Sequence, residues 1–524
     1  MGLLGRSTSG VLVVLVGSCL SSLLPEASLA ASLTESDVRL IVEQASSAAQ
    51  QFGLRACIAV TDREGNVLAL FKMTGAPKKS RVVGDQGQGL EGAMLSAQDV
   101  TIAKAGTAGF LSSSQHAFST RTASFIVQDH FPPGVDFTSG GPLFGVQFSS
   151  LPCTDFKSPP LPLGLSADPG GVPLFKGGEL VGGLGVEGDG IYGLDLDPSD
   201  DDLPIEERVA VTGSRGFSAP DQIRGDGVLL DGIRLPFVNA IIENAPIVAV
   251  AGRYMQDPRD GQPTGFVDAS VGGVAGQGDP RFPLRSGSVL NASEVETMLA
   301  QAARQSLKTR AAIRQPLGSA AKVSIAVVDV DGTILGFFRL DDASIFGADV
   351  SLQKARTAAF FTSPAAGSDI ARVGLGRFLR DVALDGSYAY TTRAIGFLAQ
   401  PYYPPGIQGT MEGPFSLPIS EWSPFNTGLQ FGLFFDNLAN AGSCNPAIPQ
   451  LPNGITIFPG GVPLYKNGRF AGGIGVSGDG VDQDDLIASA GSVGFEAPRE
   501  LRCDRLLIRG VRLPYVKFPR HPNL

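Results

Sequence analysis

Histidine and tryptophan are almost missing from this chain: 524 residues contain three His and one Trp. The histidines are His116, His130 and His521, the last in the terminal tail. Triad chemistry built on a histidine in each half of the chain is therefore excluded. No Gly-x-Ser-x-Gly or His-Glu-x-x-His run occurs, so nucleophile-elbow hydrolases and zincins are excluded too. Acid/base work by carboxylates stays open. Charge is also sparse, at 18% of residues, and Asp plus Glu (51) outnumber Lys plus Arg (41) for a net charge of −10. An acidic, charge-poor chain lacks the basic footprint of a nucleic-acid binder and of a protein docked on anionic lipid. Cysteine is scarce, five in all, and no Cys-x-x-Cys occurs, which leaves zinc-site and thioredoxin-type readings without support.

Glycine and proline are plentiful, 68 and 37, yet glycine has no period of three, so a collagen-like chain is excluded. A hydrophobic fraction of 43% is enough for packed cores. The first thirty residues carry one charge, Arg6, before an apolar run from Val11 to Leu24. This reads as a signal peptide cleaved after Ala30, with Ser28 and Ala30 as the small residues. A lipoprotein signal processed at Cys19 is the competing reading, and either one predicts an exported protein, periplasmic or extracellular. No later segment has the length of apolar residues that a transmembrane span needs. An oxidising compartment permits two disulfides among Cys57, Cys153, Cys444 and Cys503, in three alternative pairings, against four buried thiols.

The chain repeats itself. Pro169–Gly190 recurs as Pro459–Gly480 with 15 of 22 positions identical. Gly216–Val238 matches Gly494–Val516 at 12 of 23, and Lys104–Phe110 matches Lys354–Phe360 at five of seven. The order is the same in both halves, so the chain holds two copies of one domain rather than a short-period array. The expected division is a signal segment 1–30, copy one 31–238, a connector 239–289, copy two 290–517 and a tail 518–524.

Each copy predicts the same elements. Thr34-Glu-Ser-Asp37 is a capping-box start for a helix with Val38, Ile41, Val42 and Ala45 on one face; the counterpart begins at Asn291. Cys57–Asp62 and Val67–Met73 form a hairpin, matched by Val323–Val328 and Thr333–Leu340. Asp62 and Asp329 sit at the end of the first strand, where a turn-capping role explains them. The Lys104 and Lys354 segments predict small-residue helices. The Pro-Gly-Gly-Val-Pro blocks predict a second hairpin, turning at Gly177-Gly178 and at Asn467-Gly468. Gly182-Gly183 and Gly472-Gly473 lie inside a strand, which marks a bulge or a close approach. A phosphate loop is not indicated, because no Gly-Lys-Ser/Thr and no helix start follow. A helix from Asp482 and a last strand, Leu506–Val516 or Val228–Val238, complete the string. Five strands with two hairpins predict an antiparallel sheet with helices on it, an α+β fold. Inserts at 111–168 and 361–458, rich in Pro, Gly and aromatics, predict ordered excursions. Ile241–Ala251 in the connector is a further candidate strand.

These residues carry a resemblance. Lys-Ala-x-Thr-Ala on a helix, Pro-Gly-Gly-Val-Pro, a Lys-x-Gly turn, Gly-Gly-Leu/Ile-Gly-Val-x-Gly and then Asp482-Gln-Asp-Asp485 resemble the GlcG/HbpS-like family of haem-binding or haem-degrading proteins. The resemblance covers about 100–120 residues of each copy and leaves the inserts unexplained. It implies tandem profilin-like domains, a tendency to oligomerise or to form an internal pseudo-dimer, and haem as ligand in some members.

The resemblance turns attention to haem ligands, which are usually His, Cys, Met or Tyr. His116, just past the Lys104 helix, is the candidate for haem iron, ahead of His130 in a turn-like context. Lys104 and Lys354 are candidates to pair with a ligand carboxylate, with Thr107 and Thr357 on the same helix face. An acidic loop places Asp195, Asp197, Ser199, Asp201 and Glu206 at calcium-loop positions, against Asp200 where glycine is required. The reading that follows is an exported small-molecule binding protein for haem or another flat anionic molecule. Its cleft is expected between the second helix and second hairpin, beneath the inserts. A non-catalytic interaction module using the aromatic inserts is the alternative, and a haem-degrading enzyme the third reading.

Overall fold

A computed structural model describes residues 2, 31–84, 86–156, 161–195, 197, 200–439 and 446–517. The expected signal segment, Cys19, Ser199, Cys444 and His521 lie outside the described residues.

The first half opens with α1 (Glu35–Gln51), started by the expected capping box: the Thr34 hydroxyl accepts from the Asp37 amide, and the Asp37 carboxylate from the Thr34 amide. Strands β1 (Cys57–Asp62) and β2 (Val67–Met73) form the first hairpin. Asp62 caps its turn, Oδ1 accepting from the Glu64 and Asn66 amides at 2.9 Å each. Strands β3 (Lys79–Val83) and β4 (Met94–Ser96) precede α2 (Ala97–Phe110) and α3 (Thr120–Ile126). The second hairpin is β5 (Gly171–Lys176) and β6 (Glu179–Glu187), followed by β7 (Ile191–Gly193), α4 (Ile205–Gly213) and the two-residue strands β8 (Leu229–Leu230) and β9 (Ile233–Arg234). Between the halves run β10 (Gly252–Gln256), β11 (Val267–Val271) and β12 (Val274–Gly278). The second half contains α5 (Ala292–Ser306), β13 (Ser324–Val328), β14 (Ile334–Arg339), α6 (Phe346–Thr362), α7 (Ala366–Arg372), α8 (Thr392–Leu398) and α9 (Leu429–Ala439). It ends with β15 (Gly461–Lys466), β16 (Arg469–Ser477), α10 (Val481–Gly491), β17 (Leu507–Ile508) and β18 (Val511–Arg512).

The two main sheets are antiparallel, with orders β10-β2-β1-β6-β5 and β11-β12-β14-β13-β16-β15. Their central four strands, β2-β1-β6-β5 and β14-β13-β16-β15, have one topology. This is the expected α+β class, built twice. The hairpin turns carry the two left-handed residues expected of them: φ is 62° and 86° at Gly177 and Gly178, and 52° and 76° at Asn467 and Gly468.

One face of each sheet packs against α1 and α4, or α5 and α10, through a core that includes Ile41, Ile58 and Leu184 in the first half and Leu299, Ile325 and Ile474 in the second. The opposite face is nearly bare of side chains where α2 and α6 lie on it. A Cβ on Gly183 would stand 2.0 Å from the Ala105 carbonyl, and one on Gly473 would stand 2.4 Å from the Ala355 carbonyl. The strand glycines are thus the condition for helix-on-backbone contact.

Three expectations fail. The last strand does not join the sheet. Positive φ at Asp231-Gly232 and Arg509-Gly510 folds each segment into a two-residue ladder, β8–β9 and β17–β18, before Pro236 and Pro514. The fifth strand comes instead from between the halves, where Ile241–Ala251 is irregular and β10 starts at Gly252, while β11 and β12 extend the second sheet. None of the three cysteine pairings holds: Cys153 is disulfide-bonded, but Cys57 and Cys503 are buried free thiols, each inside the core of its own half.

The described residues of the inserts interlock the halves. Phe144 stacks on Trp422 with centroids 5.0 Å apart, and Phe148 packs on Phe431 at 5.7 Å. Gln430 Nε2 donates to the Gly145 carbonyl at 3.0 Å, and the Gly140 amide to Gln400 Oε1 at 3.1 Å. No helix among the described residues is long and apolar enough to cross a membrane.

Candidate functional site

Because glycine lets α2 sink onto β6, Lys104 points into the protein and not into solvent. Its side chain is fully buried, with Nζ 2.8 Å from Asp168 Oδ2 and 3.0 Å from Glu187 Oε2, and it also contacts Glu206 Oε2. Burial opposes its charge, but the three carboxylates together hold the ammonium well above its ordinary pKa. Burial and mutual repulsion push Asp168 and Glu206 upward, so protons are shared within the cluster. Among the described residues this is the one group of three acidic or other metal-ligating side chains close enough to share an ion, and the lysine sits among them.

The second half keeps the lysine and drops two of the acids. Lys354 Nζ bonds Asp484 Oδ2 at 2.7 Å and the Val476 carbonyl at 2.9 Å, and stands 5.0 Å over the Phe458 ring. Phe458 holds the place of Asp168, and Ser477 that of Glu187. With one carboxylate, burial wins: Lys354 is shifted down and Asp484 up to about 7. A neighbouring pair is retained in both halves, Arg121 with Glu207 and Arg393 with Asp485. Thr107 and Thr357 each donate back to their own helix, to the Ala103 and Gln353 carbonyls at 2.7 Å. Each also accepts from the segment entering the second hairpin, through the Ser166 amide at 2.7 Å and the Thr456 amide at 3.0 Å. The four residues expected at a ligand cleft are therefore turned inward. Asp168 and Glu187 were missed, although aligning the repeats shows an acid at each place where the other copy has none.

His116 does not face a ligand either. It is fully buried where the halves meet, with Nδ1 2.9 Å from Ser113 Oγ and Nε2 3.1 Å from the Leu111 carbonyl and 3.2 Å from Ser344 Oγ. Burial first, then the Arg314 charge, pushes its pKa down to about 3. Both ring nitrogens are engaged, so the expected role on haem iron is not served by this arrangement. His130 is also engaged, Nδ1 to the Thr138 carbonyl at 2.9 Å and Nε2 to Gln408 at 3.0 Å. The calcium-loop reading fails on geometry. Asp195 pairs with Arg121 at 2.6 Å and Glu206 turns into the Lys104 cluster, while Asp197 and Asp201 are exposed. Among the described residues of the loop no common centre remains for an ion.

Two cavities with residues from both halves bear on the site. The larger, about 430 Å³, lies between the halves. Its apolar walls are Leu111, Phe118, Leu143, Leu230 and Leu235 from one side and Ile313 and Phe346 from the other. Asp482 and Asp484, also at its edge, are already paired with Arg393 and Lys517, and with Lys354. Arg310 is exposed at its rim and makes no ion pair among the described residues. The smaller cavity, about 290 Å³, lies beneath the inserts, but none of its lining residues comes from α2 or the second hairpin, between which the cleft was expected. Neither presents a usable haem ligand: the first is lined by no His, Cys, Met or Tyr, and the second by Tyr192 alone, whose phenol burial pushes up to about 12. The residues present do not fit an iron held by an axial side chain. The first cavity is apolar along its walls, with the exposed Asp231 and Arg310 among its lining residues.

The family model described as haem degrading protein HbpS-like matches residues 295–392 and 428–492, the second half less part of its insert. Three solved structures are similar over one domain's length. Klebsiella pneumoniae protein ORFY has 22% identity and a TM-score of 0.23, covering 41% of this chain and 97% of its own. A PduOC:heme complex has 18% identity and a TM-score of 0.22, covering 39% and 94%. A double mutant of HbpS from Streptomyces reticuli has 19% identity and a TM-score of 0.21, covering 40% and 97%. No curated protein matches the chain.

Proposed function

We propose that this chain, an HbpS-like domain built twice, binds a flat, largely apolar, carboxylate-bearing molecule of the haem class between its halves. The grip is by shape and by Arg310, not by iron coordination. The observation that carries this reading is the 430 Å³ cavity, with apolar walls from both halves and at its rim a guanidinium that makes no ion pair among the described residues. Its size falls in the range of small-molecule sites, about 300–1,000 Å³, and guanidinium is well suited to a carboxylate. The HbpS-like match, in a family described by haem, supports the ligand class. Export belongs to the same reading, supported by the first thirty residues and by the Cys153 disulfide.

Titration with hemin and with metal-free protoporphyrin, followed by absorbance, tests it. Both should bind with similar affinity, and His116→Ala should leave the hemin spectrum unchanged. Arg310→Glu should weaken hemin about tenfold, the equivalent of about 1.4 kcal/mol, and leave the dimethyl ester of hemin unaffected. Hemin binding that is indifferent to Arg310→Glu, or far tighter than that of the metal-free ring, refutes the proposal.

A further inference from the structure

The smaller cavity joins two features that the reading above does not use. Its walls are apolar, with Val82, Leu95, Leu165 and Phe425 among them, and its one charged lining residue is Asp168. Behind Asp168 stands the buried cluster, in which three carboxylates face a single ammonium, that of Lys104. Asp168 is 9% exposed, and although Oδ2 stands close to Lys104, it completes no hydrogen bond. Buried carboxylates without a compensating cation are strongly disfavoured. The cavity therefore ends in a carboxyl group of a cluster that retains protons for want of a second cation, and the second half, with Phe458 and Ser477 at the equivalent places, has nothing similar.

We propose that this cavity is a site for a small apolar amine, its hydrocarbon body against the leucines and its ammonium donating to Asp168. An ammonium there takes the place of a proton that the cluster otherwise retains, as a charge-assisted hydrogen bond. An uncharged molecule of the same shape gains the apolar contacts alone. The volume suits a single-ring or short-chain amine and not a tetrapyrrole, so this site is separate from the one between the halves.

Isothermal titration of the full chain with 2-phenylethylamine and with 2-phenylethanol tests the proposal. The amine should bind at least tenfold more tightly than the alcohol. Asp168→Asn should bring the amine to the alcohol's level, and hemin binding should not change. Equal binding of the two probes, no binding of either, or amine binding indifferent to Asp168→Asn overturns it.

Discussion

Replacing each buried lysine by methionine separates the two halves on a quantity the structure sets. Lys104 is the only cation among Asp168, Glu187 and Glu206; burial already draws Asp168 and Glu206 toward their protonated forms, so Lys104→Met leaves the fully buried Glu187 without a counter-charge. Removing one partner of a buried pair costs about 3–5 kcal/mol. Lys354→Met leaves only Asp484, whose pKa burial has already raised to about 7, so that side chain takes up a proton near neutral pH and stays neutral. The remaining loss is a hydrogen bond or two, about 1–3 kcal/mol. For units of this size 1 kcal/mol moves the melting temperature by about 2–4 °C. Scanning calorimetry at pH 7.5 should therefore show a fall of about 10 °C for Lys104→Met and about half that or less for Lys354→Met. Adding Glu187→Gln to Lys104→Met should recover part of the loss. An equal or larger fall for Lys354→Met, or no recovery in the double variant, refutes the charge count on which the argument rests.

Two further outcomes follow from the packing. Gly183→Ala places a methyl 2.0 Å from the Ala105 carbonyl; pushing α2 off the sheet should cost about 3 kcal/mol, and an unchanged melting temperature would show that the helix does not depend on that contact. Asp349 on α6 holds the first insert, accepting from the Ser150 amide at 2.7 Å and from the Thr154 hydroxyl, and burial pushes its carboxyl up to about 6. Its folded value lies above its ordinary 3.8, so the folded protein holds a proton that the unfolded chain releases, and this contribution to stability falls as pH rises from about 4 to about 6. The melting-temperature difference between parent and Asp349→Asn should shift across that window, and a pH-independent difference would exclude the titration.

What was legible in the sequence was local. The capping boxes at Thr34 and Asn291, the first hairpins and the Asn467-Gly468 turn all rest on residues within a few places of one another, and all are present. The last strand was misread although Asp231-Gly232 carries the same kind of turn signal, because its apolar run outweighed the break. The site residues were misread for a different reason. A lysine followed by Thr one turn on reads as a surface pair, and only the approach of α2 to the glycine-lined strand inverts which face of the helix is buried. That inversion depends on Gly183 and Gly185 meeting Ala105 and Thr101, contacts across about 80 residues of sequence. His116 fails as a ligand for a similar reason: its partner Ser344 comes from the other copy.

Fusing the two copies explains why they diverge at the lysine. In an assembly of identical subunits every substitution appears in all copies at once, so an uncompensated buried charge is multiplied. In a tandem chain one half can bear the load while the other supplies rigidity. The second half has a short, nearly compensated pair, Lys354 with Asp484, capped by Phe458. The first half carries the excess carboxylates and the cavity that opens on them. The inserts fit this division. Phe425 and Phe435 come from the second half and line the cavity of the first, so its roof is supplied by the other copy. A first half produced alone would lack that roof, and its carboxylates would face water and not an apolar wall. The asymmetric site is a property of the fusion, and it is therefore in the full chain that its ligand has to be sought.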